Sequence, residues 1–491
     1  MKQYMTLNPS YSLRQDGNRV ILHGVENERD HSQEWFSFIH PYYGMLLSFF
    51  TFENYNLNEK ISRCCEYFGK GCDYIMEILS PLIDNSNIVH VKTKHGELNS
   101  FPKNLIVSSD IPIHRKEEYS PTDFYYDGIP DFQTNRLHFP ISINLELIMR
   151  CYTDCCYCYS DRSDSKGDRL TTSRIIELIR EAKSNRAIQF DINGGEVLLH
   201  PDIKIILKEL KDSGFNPLIS TKMPINNEMI DYIRKIGIEK IQISLDSADD
   251  KLLTKLVKTP VGYLHNIGKT LEYASNVGLQ VDINTVLTKY NVSPSEVEHL
   301  LEYISSFKCV RHNRLNPVGY SLYKTNFSEI APTKENLDLV ESLIPEWKVK
   351  YGININLSYF ECASQFEKNV KIEKFRNRAI CTGNVWNMVI LPNGDVTICE
   401  ELYYKSKFII GNVKCNSINE VWNSRRAIDL YNMTVPAKSS SVCGLCDDFN
   451  KCRMNQGVCW KTILMAYGDE NWDFPDPRCP KAPFPYNCFY Y

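Results

Sequence analysis

Three cysteines at the spacing Cys151-x3-Cys155-x2-Cys158 carry the first chemistry in this chain. Thiolates this close in one loop can hold three irons of a 4Fe-4S cube, which ordinarily takes four protein ligands, so one iron stays open. An open iron chelates a small molecule through an amine and a carboxylate, whereas a structural zinc needs four closed ligands. Cys156 lies inside the run and can replace Cys155 or Cys158 only by breaking the spacing. A second group of ten cysteines runs from Cys362 to Cys488, leaving Cys64, Cys65, Cys72 and Cys309 of the 18 elsewhere. The opening residues MKQYMTLNPSYSLRQDGN contain no apolar secretion segment. Disulfides are then disfavoured for so many thiols, and two metal-bearing regions are expected.

Charge narrows the partners. The chain has 56 Lys plus Arg against 60 Asp plus Glu, a net of −4, which argues against a nucleic-acid or anionic membrane partner. Its apolar runs fall short of the roughly 18 residues a membrane span needs, so a soluble, cytoplasmic protein is expected. At 491 residues it exceeds the size at which one core splits, so two or three domains are anticipated.

The elements that must position these groups fall into three stretches. In residues 1–110, Asp16-Gly17 reads as a hairpin turn, helices follow over 43–52, 58–68 and 73–83, and a second hairpin covers 88–98. Strands, three helices and a wing describe a winged-helix-like α+β domain. Its 10 basic and 13 acidic residues speak against phosphate binding, leaving an exposed sheet edge to take an extended peptide. Next, strand candidates at 137–145, 187–193, 216–220, 240–245, 280–287 and 311–316 alternate with helices at 173–184, 202–213, 227–236, 265–277 and 293–307. That order predicts a parallel sheet covered by helices, with functional groups at the C-terminal ends of the strands. A helical connector is expected over 333–351. Residues 360–491, rich in Cys, Gly and Asn, are expected to depend on metal for their fold.

With the CxxxCxxC loop after the first strand and Tyr157 before its last cysteine, the chain resembles the radical SAM superfamily. The resemblance implies an α/β fold built on a partial (β/α)6 TIM-like barrel over 137–325. It also implies a 4Fe-4S cluster held by Cys151, Cys155 and Cys158, which cleaves S-adenosyl-L-methionine to a 5'-deoxyadenosyl radical. Gly194-Gly195-Glu196 at the second strand resembles the family's methionyl-binding segment, with Val197 where proline is usual. Ser244 and Asp246 match its ribose-contacting segment, and Tyr157 belongs to the same cofactor set. Ser220-Thr221-Lys222 occupies the place of another family run but departs from it at Lys222-Met223, and no role is assigned.

Downstream, Cys381, the Asn393-Gly394 turn, Cys399, Cys443-x2-Cys446-x5-Cys452, Cys459 and Cys479 resemble the SPASM extension, which binds up to two auxiliary 4Fe-4S clusters. The resemblance implies an outer cluster on Cys443, Cys446, Cys452 and Cys479. An inner one would lie on Cys381, Cys399 and Cys459, with Cys362 as fourth ligand. A three-ligated inner cluster, or one using Cys415 or Cys488, is the alternative, since Cys362 lies far upstream and the Cys452–Cys459 interval is longer than the family's. Glu400 matches an acid proposed as the proton acceptor. One or two structural zincs are the competing reading of these thiols.

Together these resemblances imply an oxidoreductase with three 4Fe-4S clusters. It would mature a ribosomally made precursor peptide by forming a thioether or carbon–carbon crosslink. Residues 1–110 would grip the leader, 111–136 would link, 326–360 would connect, 361–491 would form the SPASM domain, and a flavodoxin or ferredoxin would supply electrons. The alternatives are a sulfatase-maturing-type formylglycine former, a peptide epimerase using Cys309 as hydrogen donor, and a zinc-stabilised winged-helix binding protein.

Overall fold

The computed structural model describes the chain except residues 1–3, 25–34, 53–54, 94–95, 97, 116, 127, 161–168, 325, 358–374, 376–377, 379–380, 433–440, 450–451, 454–456, 485 and 487–491. The chain forms two compact units, Met1–His138 and Phe139–Tyr491.

The first unit contains β1 (Tyr4–Leu7), β2 (Tyr11–Asp16), β3 (Arg19–Gly24), β4 (Phe36–Ile39), α1 (Pro41–Ser48), α2 (Leu57–Phe68), α3 (Cys72–Leu79), β5 (Val89–Lys92), β6 (Leu98–Phe101) and β7 (Ile106–Ser109). Strands β2, β3 and β4 form an antiparallel sheet, β1 pairs with β7, and the β5–β6 hairpin forms the wing after the three helices. The first turn sits one residue later than expected. Asp16 pairs with Arg19 across the ladder, because its buried carboxylate accepts from Arg19 Nε at 2.9 Å and from the His138 N–H at 2.7 Å. Gly17, at φ 60°, takes the left-handed position. Helix α2 starts on a reciprocal Asn56–Glu59 cap and stops at left-handed Gly69. Residues expected as a linker pack onto this unit, with Arg115 donating to the carbonyls of Leu7, Asn8 and Tyr11 at 2.6, 2.8 and 2.9 Å.

In the second unit, parallel strands alternate with helices: β8 (Ser142–Ile148), α4 (Thr172–Ser184), β9 (Gln189–Gly194), α5 (Ile203–Asp212), β10 (Ser220–Thr221), α6 (Asn227–Lys235), β11 (Lys240–Ser244), α7 (Asp250–Val257), α8 (Tyr263–Val277), β12 (Gln280–Leu287), α9 (Pro294–Ser305) and β13 (Val310–Pro317). This is the partial barrel. Two features go beyond the expected six strands. After α10 (Phe327–Ile330) and α11 (Lys334–Tyr351), β14 (Asn354–Leu357) adds in parallel to β13 inside the expected connector. Then β15 (Asn387–Ile390) pairs in parallel with β8, followed by antiparallel β16 (Asp395–Thr397) and β17 (Ile409–Asn412). The resulting orders are β17-β16-β15-β8-β9 and β10-β11-β12-β13-β14. An open barrel leaves strand edges, and edges demand cover; the C-terminal segment supplies it at β8.

Side chains alternate across these strands as a period of two requires. Ile143, Leu145, Phe190, Ile192, Ile241, Ile243, Val281 and Ile283 belong to the core shared with the helices. The other face is polar, and its residues align in rows: Asn144 with Asp191, Glu146 with Asn193, Gln242 with Asp282 and His312, and Ser244 with Asn284 and Arg314. A closed TIM barrel fills this space with branched aliphatics. This one keeps it hydrophilic.

Candidate active site

The Cys151–Cys158 loop leaves the end of β8 and is fixed by backbone bonds. Asp154 N–H donates to Val257 O at 2.9 Å and Cys156 N–H to Leu256 O at 2.8 Å, both at the end of α7. Lys324 Nζ and Asn326 Nδ2 donate to the carbonyls of Cys155 and Cys156 at 2.9 and 3.2 Å, and the Thr153 hydroxyl lies 3.4 Å from Cys155 Sγ. The Cys156 carbonyl and amide are thus both engaged in holding the loop.

Gly194 and Gly195 pack against this loop's entry. A Cβ on Gly194 would lie 2.3 Å from Ile148 O, and one on Gly195 would lie 2.2 Å from Arg150 O and 2.4 Å from Met149 O. Gly195 N–H donates to Ile148 O at 2.7 Å and Glu196 N–H to Arg150 O at 2.9 Å. The close approach these glycines permit is therefore to the cysteine loop's own backbone. Glu196 is buried, with its carboxylate accepting from Thr221 Oγ1 at 2.8 Å, Lys222 N–H at 3.1 Å and Leu198 N–H at 3.3 Å. Burial pushes its pKa up against those bonds.

Tyr157 and Asp246 meet directly. The Tyr157 hydroxyl donates to Asp246 Oδ2; Lys222 Nζ reaches the same oxygen at 2.9 Å and the hydroxyl at 3.0 Å. Val286 N–H donates to Asp246 Oδ1 at 2.9 Å. Burial opposes the Lys222 charge, but Asp246 and Cys155 outweigh it and hold its pKa above the ordinary value. Lys222, with no role read from sequence, is thus the counter-ion of the site. Ser244 ends β11 on the polar face, in register with Asn284.

A second group lies where β8 and β9 meet the C-terminal segment. Glu146 is 2% exposed, and its Oε2 has no hydrogen-bond partner among the described residues. Burial and then the Glu400 charge push its pKa up to about 8. Asn193 Nδ2 donates to Glu400 Oε2 at 3.4 Å, and burial raises the Glu400 pKa. Glu401 pairs with Lys461. Sequence reading passed over Glu146; the signal was a carboxylate on the polar, lumen-facing side of a strand whose other side is apolar.

The C-terminal cysteines gather in two sets. Burial and then Cys459 push the Cys381 thiol up to about 11; burial, Glu400, Glu401 and Cys459 push Cys399 up to about 12. Cys399 and Cys459 each immediately precede a helical segment, at its N-cap, and Cys415 is exposed beyond β17. Cys362 and Cys488 fall outside the described residues. Burial raises the Cys479 pKa, with Cys443, Cys452 and Cys446 adding to it, so the structure brings those four together. Each sulfur also has an N–H near it: Arg378 Nη2 lies 3.2 Å from Cys452, Arg453 Nη2 3.6 Å from Cys443, Lys481 Nζ 3.4 Å from Cys446, and Lys481 N 3.4 Å from Cys479. Arg378 Nε and Arg453 Nη1 are buried with no partner among the described residues. Orphaned guanidinium N–H groups beside four thiols fit an anionic iron-sulfur cluster. Among the described residues, no three His, Cys, Asp or Glu side chains converge on a single metal ion.

Family models match this layout: the Radical SAM superfamily over residues 145–304 and the SPASM iron-sulfur cluster-binding domain over residues 381–452. The chain therefore carries a radical SAM domain and a SPASM domain, a composition that indicates 4Fe-4S clusters and S-adenosylmethionine as cofactors. Among curated proteins it is similar to the PqqA peptide cyclase of Xanthomonas euvesicatoria pv. vesicatoria (strain 85-10), 24% identical over 354 residues, covering 70% of this chain and 88% of that one. Among solved structures it is similar in fold to Streptococcus suis SuiB bound to S-adenosylmethionine (TM-score 0.62, 16% identity, 96% of this chain and 98% of that chain). SuiB bound to precursor peptide SuiA matches over the same shares with a TM-score of 0.61.

Proposed function

We propose that this protein is a peptide maturase, an oxidoreductase that forms an intrapeptide crosslink in a ribosomally made precursor. The observation that carries this reading is the relation to a peptide cyclase over 70% of the chain. The polar lumen supports it, since a barrel that accepts a peptide needs hydrogen-bonding walls. When bound, the cluster on Cys151, Cys155 and Cys158 with S-adenosylmethionine supplies a 5'-deoxyadenosyl radical for hydrogen abstraction. The chain's own part is positioning. Tyr157, Asp246 and Lys222 brace the cysteine loop from the barrel side, and Gly194, Gly195, Glu196 and Ser244 form the cofactor rim. The rows at Asn144, Glu146, Asn193 and Asn284 offer the peptide donors and acceptors. Glu400, steadied by Asn193, takes the proton that leaves the substrate. The N-terminal unit grips the leader, which raises the local concentration of the reacting segment to about the millimolar range. Two auxiliary clusters, on the Cys443 and Cys381 sets, bring the total to three, and a flavodoxin or ferredoxin is the external carrier.

An epimerase using Cys309 is less well supported, because that thiol is buried and donates to Leu271 O in α8 at 3.3 Å, away from the polar face. Anaerobic incubation with S-adenosylmethionine and a reductant is expected to yield 5'-deoxyadenosine, and changing Cys151, Cys155 and Cys158 together to Ala to abolish it. Mass spectrometry of a small peptide encoded beside the gene, coexpressed with the enzyme, is expected to show the loss of two hydrogens. An unchanged mass with altered retention would point to epimerisation instead, and about two zinc per chain with no iron would remove the enzyme reading.

A further inference from the structure

The two C-terminal cysteine sets stand in opposite electrostatic surroundings. Three cations reach the sulfurs of Cys443, Cys446 and Cys452: Arg453, Lys481 and Arg378, at 3.6, 3.4 and 3.2 Å. Arg378 and Arg453 are 6% and 5% exposed. Their other hydrogen bonds among the described residues run to backbone carbonyls, from Arg378 to Phe375, Gly457 and Cys452 at 2.8, 3.2 and 3.4 Å and from Arg453 to Phe474 and Asp473 at 2.9 and 3.4 Å. Their charge therefore faces the sulfurs at low dielectric. Asp447 and Asp448, which follow Cys446, are exposed and act through solvent.

Around the other set the sign reverses. Glu400 and Glu401 directly follow Cys399, and both charges act on its thiol. Lys461 pairs with Glu401 and its charge also acts on Glu400, which bonds to the neutral side chains of Asn193 and Tyr159, so two carboxylates share one ammonium. Donors to these sulfurs are backbone amides, of Gly383 to Cys381 and Glu401 to Cys399.

We propose that Arg378, Arg453 and Lys481 hold the cluster on Cys443, Cys446, Cys452 and Cys479 at a higher reduction potential than the one beside Glu400, so that an electron entering the inner site moves outward. Hydrogen bonds to cluster sulfur and nearby positive charge favour the reduced, more negative form, while nearby carboxylates disfavour it. This rests on the proposed oxidative crosslinking, and the balance follows from it. The substrate gives one hydrogen atom to the deoxyadenosyl radical, forming 5'-deoxyadenosine, one proton to a base, and one electron to the inner cluster. That electron passes to the outer cluster and then to a one-electron carrier protein of the flavodoxin or ferredoxin class. Arg378, Arg453 and Lys481 are positioning residues for this route, touching neither substrate nor reacting carbon.

The test is an anaerobic potentiometric titration followed by electron paramagnetic resonance, on the full chain with Cys151, Cys155 and Cys158 changed to Ala so that auxiliary signals stand alone. The signal lost in Cys446→Ala is assigned to the outer cluster. It is expected to reduce first. Lys481→Met, at an exposed position, and Arg378→Gln should each lower the outer midpoint and leave the inner one in place, with Arg378→Lys restoring most of the shift. An outer midpoint at or below the inner one, or one unmoved by both variants, overturns the proposal. Iron and sulfide analysis showing no auxiliary cluster overturns it too. Ordered midpoints in a protein that leaves its peptide unmodified would retain the electron gradient and remove the crosslinking reading.

Discussion

The cysteine loop at the end of β8 and the outer cysteine set use the same ligand chemistry but are held by different forces. The loop is tied by main-chain bonds to α7 and to the Gly194-Gly195 turn, and braced by the buried Tyr157–Asp246–Lys222 contact. Each tie connects it to a packed strand or helix of the barrel core. The outer set lies between short helical turns, and its sulfurs meet side-chain cations. A site on a packed scaffold keeps its shape without its cofactor, whereas a site of thiols and cations needs the metal to offset like charges and orphaned donors.

The largest expected effect separates the two directly. Removing iron by anaerobic chelation should leave amide protection over 151–158 within about ten-fold of the loaded protein and collapse it over 441–480, as read by hydrogen exchange. Equal collapse at both places would erase the distinction. Next in size is Asp246→Asn, which strands the Lys222 ammonium beside a neutral amide. Breaking such a buried pair costs about 3 kcal/mol or more, measurable by denaturant unfolding of the iron-free chain, and the outer midpoint should not move.

Glu146 gives a pH signature confined to the barrel side. Its folded-state pKa is raised from 4.5 to about 8, so the native chain keeps a proton that the unfolded chain has released across that window. Stability should therefore fall as pH rises from about 4.5 to about 8, and Glu146→Gln should flatten the slope and stabilise the protein at pH 8 by on the order of a few kcal/mol. A slope identical in both proteins would place the titration elsewhere. Smallest is Lys258→Met. Lys258 meets Asp154 at 2.8 Å with both side chains more than half exposed, and a surface pair contributes about 0.5 kcal/mol. A loss well beyond that would mean the loop leans on charge as the outer set does.

Much of this was legible in the residues. Alternating patterns such as residues 280–287 and the helical run 58–68 marked their elements because local propensity and burial agree there. Strands β14 and β15 were not legible. Each is four residues long, and what makes it a strand is a free sheet edge far away in sequence. The glycine pair resembles a cofactor-binding run, but the backbone it approaches is the chain's own, at Ile148 to Arg150, a fact that no spacing contains. Arg378, Arg453 and Lys481 are scattered single basic residues until folding collects them around four sulfurs.

By itself the sequence determined which atoms could bind iron, since thiolate spacing along a short loop bounds how far apart the sulfurs can lie. It also determined the alternation of strand and helix, because side-chain periodicity is local. Only the tertiary structure decided the charge around each sulfur set, the partner of each buried carboxylate and the polarity of the lumen. Those are sums over residues from distant segments, and Coulomb energy depends on separation in space rather than along the chain.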